Sequence, residues 1–499
     1  MGTVQGKDRN QLYLAPSLED SISGDNFVRI IDALVDAWDL ERLGFVNVSP
    51  ASVGRPSYAA KDMLKLYIYG YFSGIRSSRK LESELGRNVE LMWLLRDLRP
   101  DHKTIAEFRR KNPQALENTF RAFVTLLDDN GMLGKRVIAV DGTKIRAQNN
   151  KKRNMSKKNL ARKIKHLDDK ISTYMKDLDA NDREEDNIPK VDVQALLATL
   201  QERKSQYESY QQELEDSGEN EKSLTDPDAR LMGNNRGGVD VCYNVQTAVD
   251  AKHHIIVEMN VTNNPSDHGQ LSVMCKQIRK SLKIKFRRFV VLADKGYYNA
   301  TDLKLCRRYR ITPIVARQKA GRGAPDPAYD LEHFQYDKEA DFYTCPQGII
   351  LKRTGTKASR LYANKKACSD CEHRGKCTTG KHRRVTVSND QGVYDYADRL
   401  FEKNKELYRM RQMLVEHPLG TIKHTMGAGY FLLRTMKKVR GEVALLFLGY
   451  NLRRAINVLG FDGMMRAILA SPLASLLTSS LNAILRDIPR PILRTGTTL

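Results

Sequence analysis

Apolar side chains recur along this chain in several rhythms, and each change of rhythm marks a new segment. Between residues 26 and 130 they step by three and four, the spacing of helices with one buried face. Leu116, Phe120, Phe123 and Leu127 form one such stripe behind Asn112 and Pro113, which read as an N-cap and a first-turn proline. Thr104 and Glu107 have the spacing of a capping box just before it. Further upstream, "GRPSYAAKDMLKLYIYGYFSGIRSSRKLESELGRN" predicts two short helices split by "SGIRSS". The run "KRVIAVDGT" reads as a strand. From Leu160 a heptad-like stripe takes over through Ile164, Leu167, Ile171, Tyr174 and Leu178. It resumes at Val193, Leu196, Leu200, Tyr207, Tyr210 and Leu214, beyond the polar loop "DANDREEDNIPK". Two stripes joined by a loop predict an antiparallel helical hairpin, either an insertion or a seat for a dimer partner.

Two strand-like runs follow, "VDVCYNVQTAVD" and "HHIIVEMNVT", joined near Asp250–Lys252 as a hairpin. A helix from about Asp267 to Leu282, the strand "RRFVVLAD", a short helix around Thr301–Tyr309 and the strand "RITPIVAR" complete the series. A closing helix is expected from Phe401 through Met413 and beyond. With the insertion set aside this is a βββαβαβ order, which places the chain in the α/β class with an RNase H-like mixed sheet flanked by helices. The expected divisions are a helical N-terminal, DNA-binding part over 1–130 and a catalytic part over 131–460. The catalytic part carries a coiled-coil insertion at 155–216 and a small Cys-rich, zinc-ribbon-like insertion at 318–400. A tail over 461–499 carries no catalytic expectation.

Charge narrows the partners. Of 499 residues, 83 are Lys or Arg and 60 are Asp or Glu, a surplus of 23. Such a surplus repels itself unless a polyanion neutralises it, which favours nucleic acid over a ribosome-associated or merely basic surface. The start "MGTVQGKDRN" lacks the apolar core of a signal peptide, and "VALLFLGYNL" is too short to span a membrane. The expected location is therefore the cytoplasm, next to DNA. Seven cysteines in such a chain suggest thiols or metal rather than disulfides.

The candidate chemistry begins at Asp141, which ends the strand "RVIAVD". From Gly142 to Lys165 there are ten Lys or Arg and no acid, with Lys144, Arg146, Lys151, Lys152 and Arg153 placed to hold phosphates. Asp294 ends "FVVLAD", expected to be the neighbouring strand. Two acids meeting at one sheet edge repel unless cations neutralise them, and hard divalent ions such as Mg²⁺ or Mn²⁺ do this. Glu416 in "RMRQMLVEHPLGTIKH" is the third acid, with Lys423 two helical turns on. Two ions roughly 3.5–4 Å apart would serve the attacking and leaving oxygens of an in-line displacement. Read singly, each acid is an ordinary turn or solvated helix residue. Asp267 reads first as a helix N-cap, although it, Asp250 and His268 also carry metal-capable groups. Arg76, Arg79, Lys80 and Arg87 crowd the "SGIRSS" turn, as a helix–turn–helix-like module on a DNA groove would, or as the solvated face of a plain helical bundle. Cys345, Cys368, Cys371 and Cys377, spaced C-x22-C-x2-C-x5-C, have the count for a structural Zn²⁺, with His373 or His382 as substitutes. Cys242, Cys275 and Cys306 lie in core patterns.

"AVDGTKIRA", "LADKGYYN" and "VEHPLGTIKH" resemble the three acidic motifs of DDE transposases encoded by bacterial insertion sequences. "QGKDRNQ", "GRPSYAAKDMLKLYIYGY", "RSSRKLESELGRNVELMWLL" and "PDHKTIAEFR" resemble their N-terminal domain, and the likeness is closest to the 1182-type insertion sequences over about residues 1 to 460. The resemblance implies an RNase H-like fold with Asp141, Asp294 and Glu416 as the metal-binding triad. It implies that water cuts the element ends and that the freed 3′ hydroxyls attack target DNA. It also implies double-stranded partners, the terminal inverted repeats and the target, in a homodimer or larger synaptic assembly. Tyr408, Arg411, Glu416 and Lys423 match the residue types of a Tyr…Arg…Glu…Lys signature, where Tyr408, Arg411 and Lys423 would meet phosphates. The Arg-to-Glu gap is one residue longer than the usual pattern. Tyr297 or Tyr298 stands near the aromatic position of the second motif. The rival readings are a domesticated, non-catalytic DNA-binding protein and a metal-dependent nuclease of the same fold. No nucleophile setting for a serine or tyrosine recombinase is evident.

Overall fold

The computed structural model describes residues 17–46, 48, 57–149, 153–181, 190–233, 237–284, 288–317, 324–354 and 359–470. The first part is helical, as the apolar spacing predicts: α1 (Phe27–Asp36), α2 (Ala60–Phe72), α3 (Ser78–Leu85), α4 (Val89–Leu95), α5 (His102–Lys111) and α6 (Pro113–Asp129). The ends of these helices differ from the sequence reading. Asp101, not Thr104, caps α5 by accepting from the amides of Lys103 and Thr104, so Glu107 lies inside the helix and pairs with Arg110. Asn112 does not cap α6 with its side chain. Its Oδ1 accepts from Val46 N and its amide donates to the carbonyl of Phe108.

The turn between α2 and α3 does not present Arg76 to solvent. Arg76 is 6% exposed, and its guanidinium donates to the carbonyls of Gly427 and Tyr430 and pairs with the fully buried Glu442 at 3.2 Å. Glu442 also accepts from the amides of Leu432 and Leu433. A buried charge must be paired and hydrogen-bonded, and this pair ties the helical part to the C-terminal part. Arg79, Lys80 and Arg87 are exposed.

The next elements are β1 (Val137–Arg146), β2 (Asn154–Ser156), α7 (Lys157–Asn181), α8 (Lys190–Asp216), β3 (Glu221–Ser223), β4 (Arg230–Gly233), β5 (Val239–Asp250), β6 (Ile256–Thr262), α9 (Gln270–Ser281), β7 (Phe289–Ala293), α10 (Ala300–Arg308) and β8 (Ile311–Val315). The main sheet runs β6–β5–β1–β7–β8. The first three strands are antiparallel and the last three parallel, a mixed sheet with β1 and β7 as parallel neighbours, as expected from the sequence. β4 adds to β5 beside Val239–Cys242. Strands buried on both faces read as continuous apolar runs, which is why β1 and β7 were legible. The pair β2–β3 closes the base of the α7–α8 hairpin, over a small core of Met155, Leu160 and Leu214. On α8 the stripe takes buried Leu197 rather than Leu196, which is 41% exposed, and the side chain of Val193 lies outside the described residues. From Leu197 the alternation of three and four runs through Leu200, Lys204, Tyr207 and Gln211 to Leu214.

The second insertion is an antiparallel meander of β9 (Gln335–Asp337), β10 (Phe342–Thr344), β11 (Ile350–Arg353), β12 (Ser359–Ala363) and β13 (Arg384–Ser388), in the order β13–β12–β11–β10–β9. Between its last two strands lie the short helices α11 (Lys365–Ser369) and α12 (Arg374–Cys377). The expected single closing helix is two, α13 (Gln391–Lys403) and α14 (Lys405–Gly420), broken at Asn404 with φ −122°. A π-helical turn over Thr421–Thr425 follows, and then α15 (Met436–Leu469). The run "VALLFLGYNL" is the buried middle of α15. Among the described residues no helix is long and apolar enough to cross a membrane. α15 bends at Gly460, whose φ of +69° suits glycine, and continues with Met464, Met465 and Ile468 buried. Residues 461–469 thus pack on the core instead of starting a separate tail, and 471–499 lie outside the described residues.

Replacing Arg76 by Ala leaves Glu442 buried and uncompensated. Urea unfolding should show a loss of roughly 3–5 kcal/mol, whereas Arg79→Ala should stay within about 0.5 kcal/mol of the parent.

Candidate active site

β1 and β7 run parallel with Val137, Ile138 and Ala139 opposite Val290, Val291 and Leu292. Two residues further along both chains, the same register sets Asp294 level with Asp141 on the adjacent strand, about 5 Å away between backbones. Asp141 accepts from its neighbour's amide, Gly142 N, at 2.9 Å. Asp294 caps a short 3₁₀ turn over Lys295–Tyr297 by accepting from Gly296 N at 2.7 Å. Burial pushes the Asp141 carboxyl up to about 6, against the pull of Arg411, and the charges of Asp294 and Asp267 push the same way as burial. The Arg411 guanidinium stands 3.7 Å from Asp141 Oδ2 and over the ring of Tyr408. Burial lowers the Lys423 ammonium while Asp141 raises it, so Lys423 also faces this site. It sits in the π-helical turn, a local geometry often found at functional sites.

Glu416 is not brought to this pair. Helix α14 packs on β1, β5 and β7 through buried Leu414, Val415, Pro418 and Leu419, and Glu416 is exposed. Beside it, the ring of His417 meets that of His254 in the β5–β6 turn, with centroids 6.2 Å apart. The one-residue-longer gap after Arg411 explains this. Each helical residue turns by about 100°, so the position on the Arg411 face is taken by Val415 and the acid is rotated away.

The structure adds two residues that sequence reading did not assign, Asn244 and Gln246, and gives Asp267 a role other than the N-cap first read for it. Asp267 does not cap α9, whose N-cap is Gly269. Instead its Oδ1 accepts from Asn244 Nδ2 at 2.8 Å and Gln246 Nε2 at 2.7 Å. The signal lay in "VCYNVQTAV", where two amides interrupt an apolar strand, and both are buried.

Lys144 and Arg146 alternate on the exposed side of β1, and Arg153 is exposed. Lys151 and Lys152 lie outside the described residues. Asp250 is at the far end of β5, accepting from the amides of Gly134, Lys135 and Lys252, which is a structural role, and His268 is exposed. Cys345, Cys368, Cys371 and Cys377 line one cavity of about 20 Å³ with His373, and His382 is not in its lining. Burial pushes the thiols of Cys368 and Cys377 up, and Cys345 and Cys371 add to it. Cys242, Cys275 and Cys306 are buried in the main core or the sheet, and no disulfide links the seven. Among the described residues, as their side chains stand, no group of three or more His, Cys, Asp or Glu is close enough to hold a metal ion.

Two family models match the chain, a transposase domain (DUF772) over residues 16–111 and a transposase DDE domain over residues 344–456. The chain belongs to the DDE transposases. The first match covers the helical part, and the second runs from β10 through α14 into α15, so it includes Arg411, Glu416 and Lys423. No curated protein matches the transposase in sequence. Among solved structures it is similar to the piggyBac transposase in a synaptic complex with hairpin DNA, at 10% identity, with 94% of this chain and 84% of that one covered and a TM-score of 0.29. That overlap is too loose to carry residues from one chain to the other.

Two features suit a hard divalent cation at the Asp141–Asp294 pair of the transposase. Both donors are carboxylates, and the hydroxyl of Thr247, directly across the strand pair from Asp141, is buried without a hydrogen-bond partner in the protein. Without a bound cation, the raised Asp141 carboxyl makes the folded chain hold its proton more tightly than the unfolded chain does. Stability therefore falls as pH rises from about 4 through 6. Asp141→Asn should remove that loss. In chelator it should be more stable than the parent by on the order of 2–3 kcal/mol near pH 7.5 and equal to it near pH 3.5, read by thermal unfolding.

Proposed function

We propose that the transposase cuts the ends of an insertion sequence of the 1182 type and joins the freed 3′ hydroxyls to target DNA at the Asp141–Asp294 pair. The observation that carries this is the parallel β1–β7 register, which sets Asp141, inside β1, level with Asp294, just after β7. Asp141 and Asp294 are the residues that would hold Mg²⁺ or Mn²⁺, and Glu416 is the third acid that the family pattern supplies. Its assignment rests on that pattern, not on its present place in α14. Two such ions, when bound, would supply Lewis acidity for the attacking and leaving oxygens of an in-line displacement. The rest falls to the chain's own groups. Arg411, already beside Asp141, and Lys423 from the π-helical turn would hold the phosphates flanking the scissile bond. Tyr408 would orient Arg411 through its ring face. Lys144, Arg146, Lys151, Lys152 and Arg153 would carry the duplex away from the site, so binding should weaken steeply with salt.

The helical part, with Arg79 exposed in the first turn of α3, would bind the terminal inverted repeats, and joining two ends calls for a homodimer or larger synaptic assembly. Arg76 leaves that DNA-binding set because it is engaged in the interior. A place in the cytoplasm at the nucleoid follows from the DNA substrate. A cleavage and strand-transfer assay on DNA carrying both element ends tests the reading. The parent should join ends to a plasmid with Mg²⁺ or Mn²⁺, and Asp141→Ala, Asp294→Ala and Glu416→Ala should each bind DNA but lose at least a hundredfold in joining, on the order expected for a lost metal ligand. Cleavage without joining would make it a nuclease. Binding with neither would favour a non-catalytic DNA-binding protein.

The four cysteines of the second insertion would hold a structural Zn²⁺. The support is their common cavity and the small core of that sheet, whose buried members are Phe334, Leu351, Tyr362, Cys368, Val385 and Val387. So few apolar residues need a staple. Co²⁺ substitution should give thiolate charge-transfer absorption that Cys371→Ser diminishes. The parent without that absorption, and without zinc by elemental analysis, would remove the zinc.

A further inference from the structure

The strand β5 carries two amides where an apolar strand should have none. Asn244 and Gln246 are 1% and 0% exposed. Burying such groups costs free energy unless their hydrogen bonds are met, and here both amides donate to one acceptor, Asp267 Oδ1. Gln246 Nε2 also reaches Asn244 Oδ1 at 3.1 Å, and the hydroxyl of the fully buried Tyr297 donates to Gln246 Oε1. The network therefore ends on Asp267 and begins on a residue of the turn that Asp294 caps.

Successive residues of a strand face opposite sides of its sheet. Asp141 lies across from Thr247 and Gly142 across from Gln246, so Gln246, Asn244 and Asp267 occupy the face behind Asp141. There Asp267 meets both glycines that follow the two acids. A Cβ on Gly142 would come within 2.4 Å of Asp267 Oδ1, and one on Gly296 within 3.4 Å of Asp267 Oδ2. Neither glycine can take a side chain toward that face without crowding this carboxylate.

We infer that Asp267 is a positioning residue for the reaction: held by Asn244 and Gln246, it backs Gly142 in β1 and Gly296 in the turn after β7, the glycines beside Asp141 and Asp294, and it adds a fixed negative charge behind them. This inference rests on the metal-dependent reading above. Asp267 does not itself join a closed metal set, in keeping with its place on the far face. Partners of this kind, one step behind the ligands, typically change metal affinity by 10–100-fold when replaced.

Direct Mn²⁺ binding to the full-length protein, followed by electron paramagnetic resonance of the free ion, tests it beside the Mn²⁺ dependence of strand transfer. Asp267→Asn keeps an oxygen for both amide donors and removes only the charge. The expected result is an approximately tenfold rise in half-saturating Mn²⁺ in both measurements, with the melting temperature nearly unchanged. Gly142→Ala, which must displace Asp267, should weaken Mn²⁺ binding in the same direction. Parent-like Mn²⁺ binding by Asp267→Asn, while Asp141→Asn and Asp294→Asn lose it, would overturn the role of Asp267 alone. Parent-like binding by all three would overturn the metal site as well.

Discussion

Two carboxylates level with each other on adjacent parallel strands repel, and burial makes the repulsion worse. The Asp141 carboxyl shows the cost, since it is pushed up to about 6 even with a guanidinium 3.7 Å away. A fold keeps such a pair only if the backbone leaves it no retreat. The β1–β7 ladder supplies one restraint, fixing both strands over three paired positions just before the acids. On the other side of the acids, β1 stays paired with β5 through Arg146, and the turn after β7 is closed by a hydrogen bond from Gly296 N to Asp294. Strain of this kind, held by surrounding structure, is what an electrostatic site for a cationic or phosphate-bearing partner requires.

The cations around the pair come from one stretch of chain. α14 lays its apolar face on the sheet, and that face fixes Arg411 and, through the π-helical turn, Lys423 near Asp141. The same packing turns position 416 outward. One added residue in a helix therefore decides whether a carboxylate faces the sheet or the solvent, a distinction of about 100° that residue types cannot express. The match to the family pattern by type, and the mismatch by angle, follow from the same spacing.

The helical part is joined to this machinery through an interior ion pair. Arg76 reaches from the α2–α3 turn to Glu442 in α15, and to the carbonyls of Gly427 and Tyr430 just beyond the π-helical turn that carries Lys423. A buried pair adds little net stability compared with apolar packing, but it specifies one arrangement. Here that arrangement fixes the segment following α14 against the part of the chain matched by the first transposase domain.

Periodicity alone made most of the frame legible. The helices of the first part, the α7–α8 hairpin and the apolar strands β1, β5, β6, β7 and β8 all follow from spacing, because burial of one face or of two leaves a direct imprint on residue order. Asp141 and Asp294 were legible as acids following apolar runs, but only Asp294 ends its strand; β1 continues past Asp141 to Arg146, because its pairing with β5 extends that far. Helix ends were less so, since Asp101 and Thr104 are both competent caps and only the path of the chain chooses between them. Burial of charge was not legible at all. Arg76 and Arg79 are three residues apart in one basic turn, yet one is interior and the other exposed, because Glu442 lies 366 residues away and waits for only one of them. Asp267 was hidden in the same way, its partners set by the pairing of β5 with β1. What a residue is, and how often its kind recurs, is written in the chain; which distant charge or amide it meets is decided only when the sheet closes, because those contacts depend on register and face.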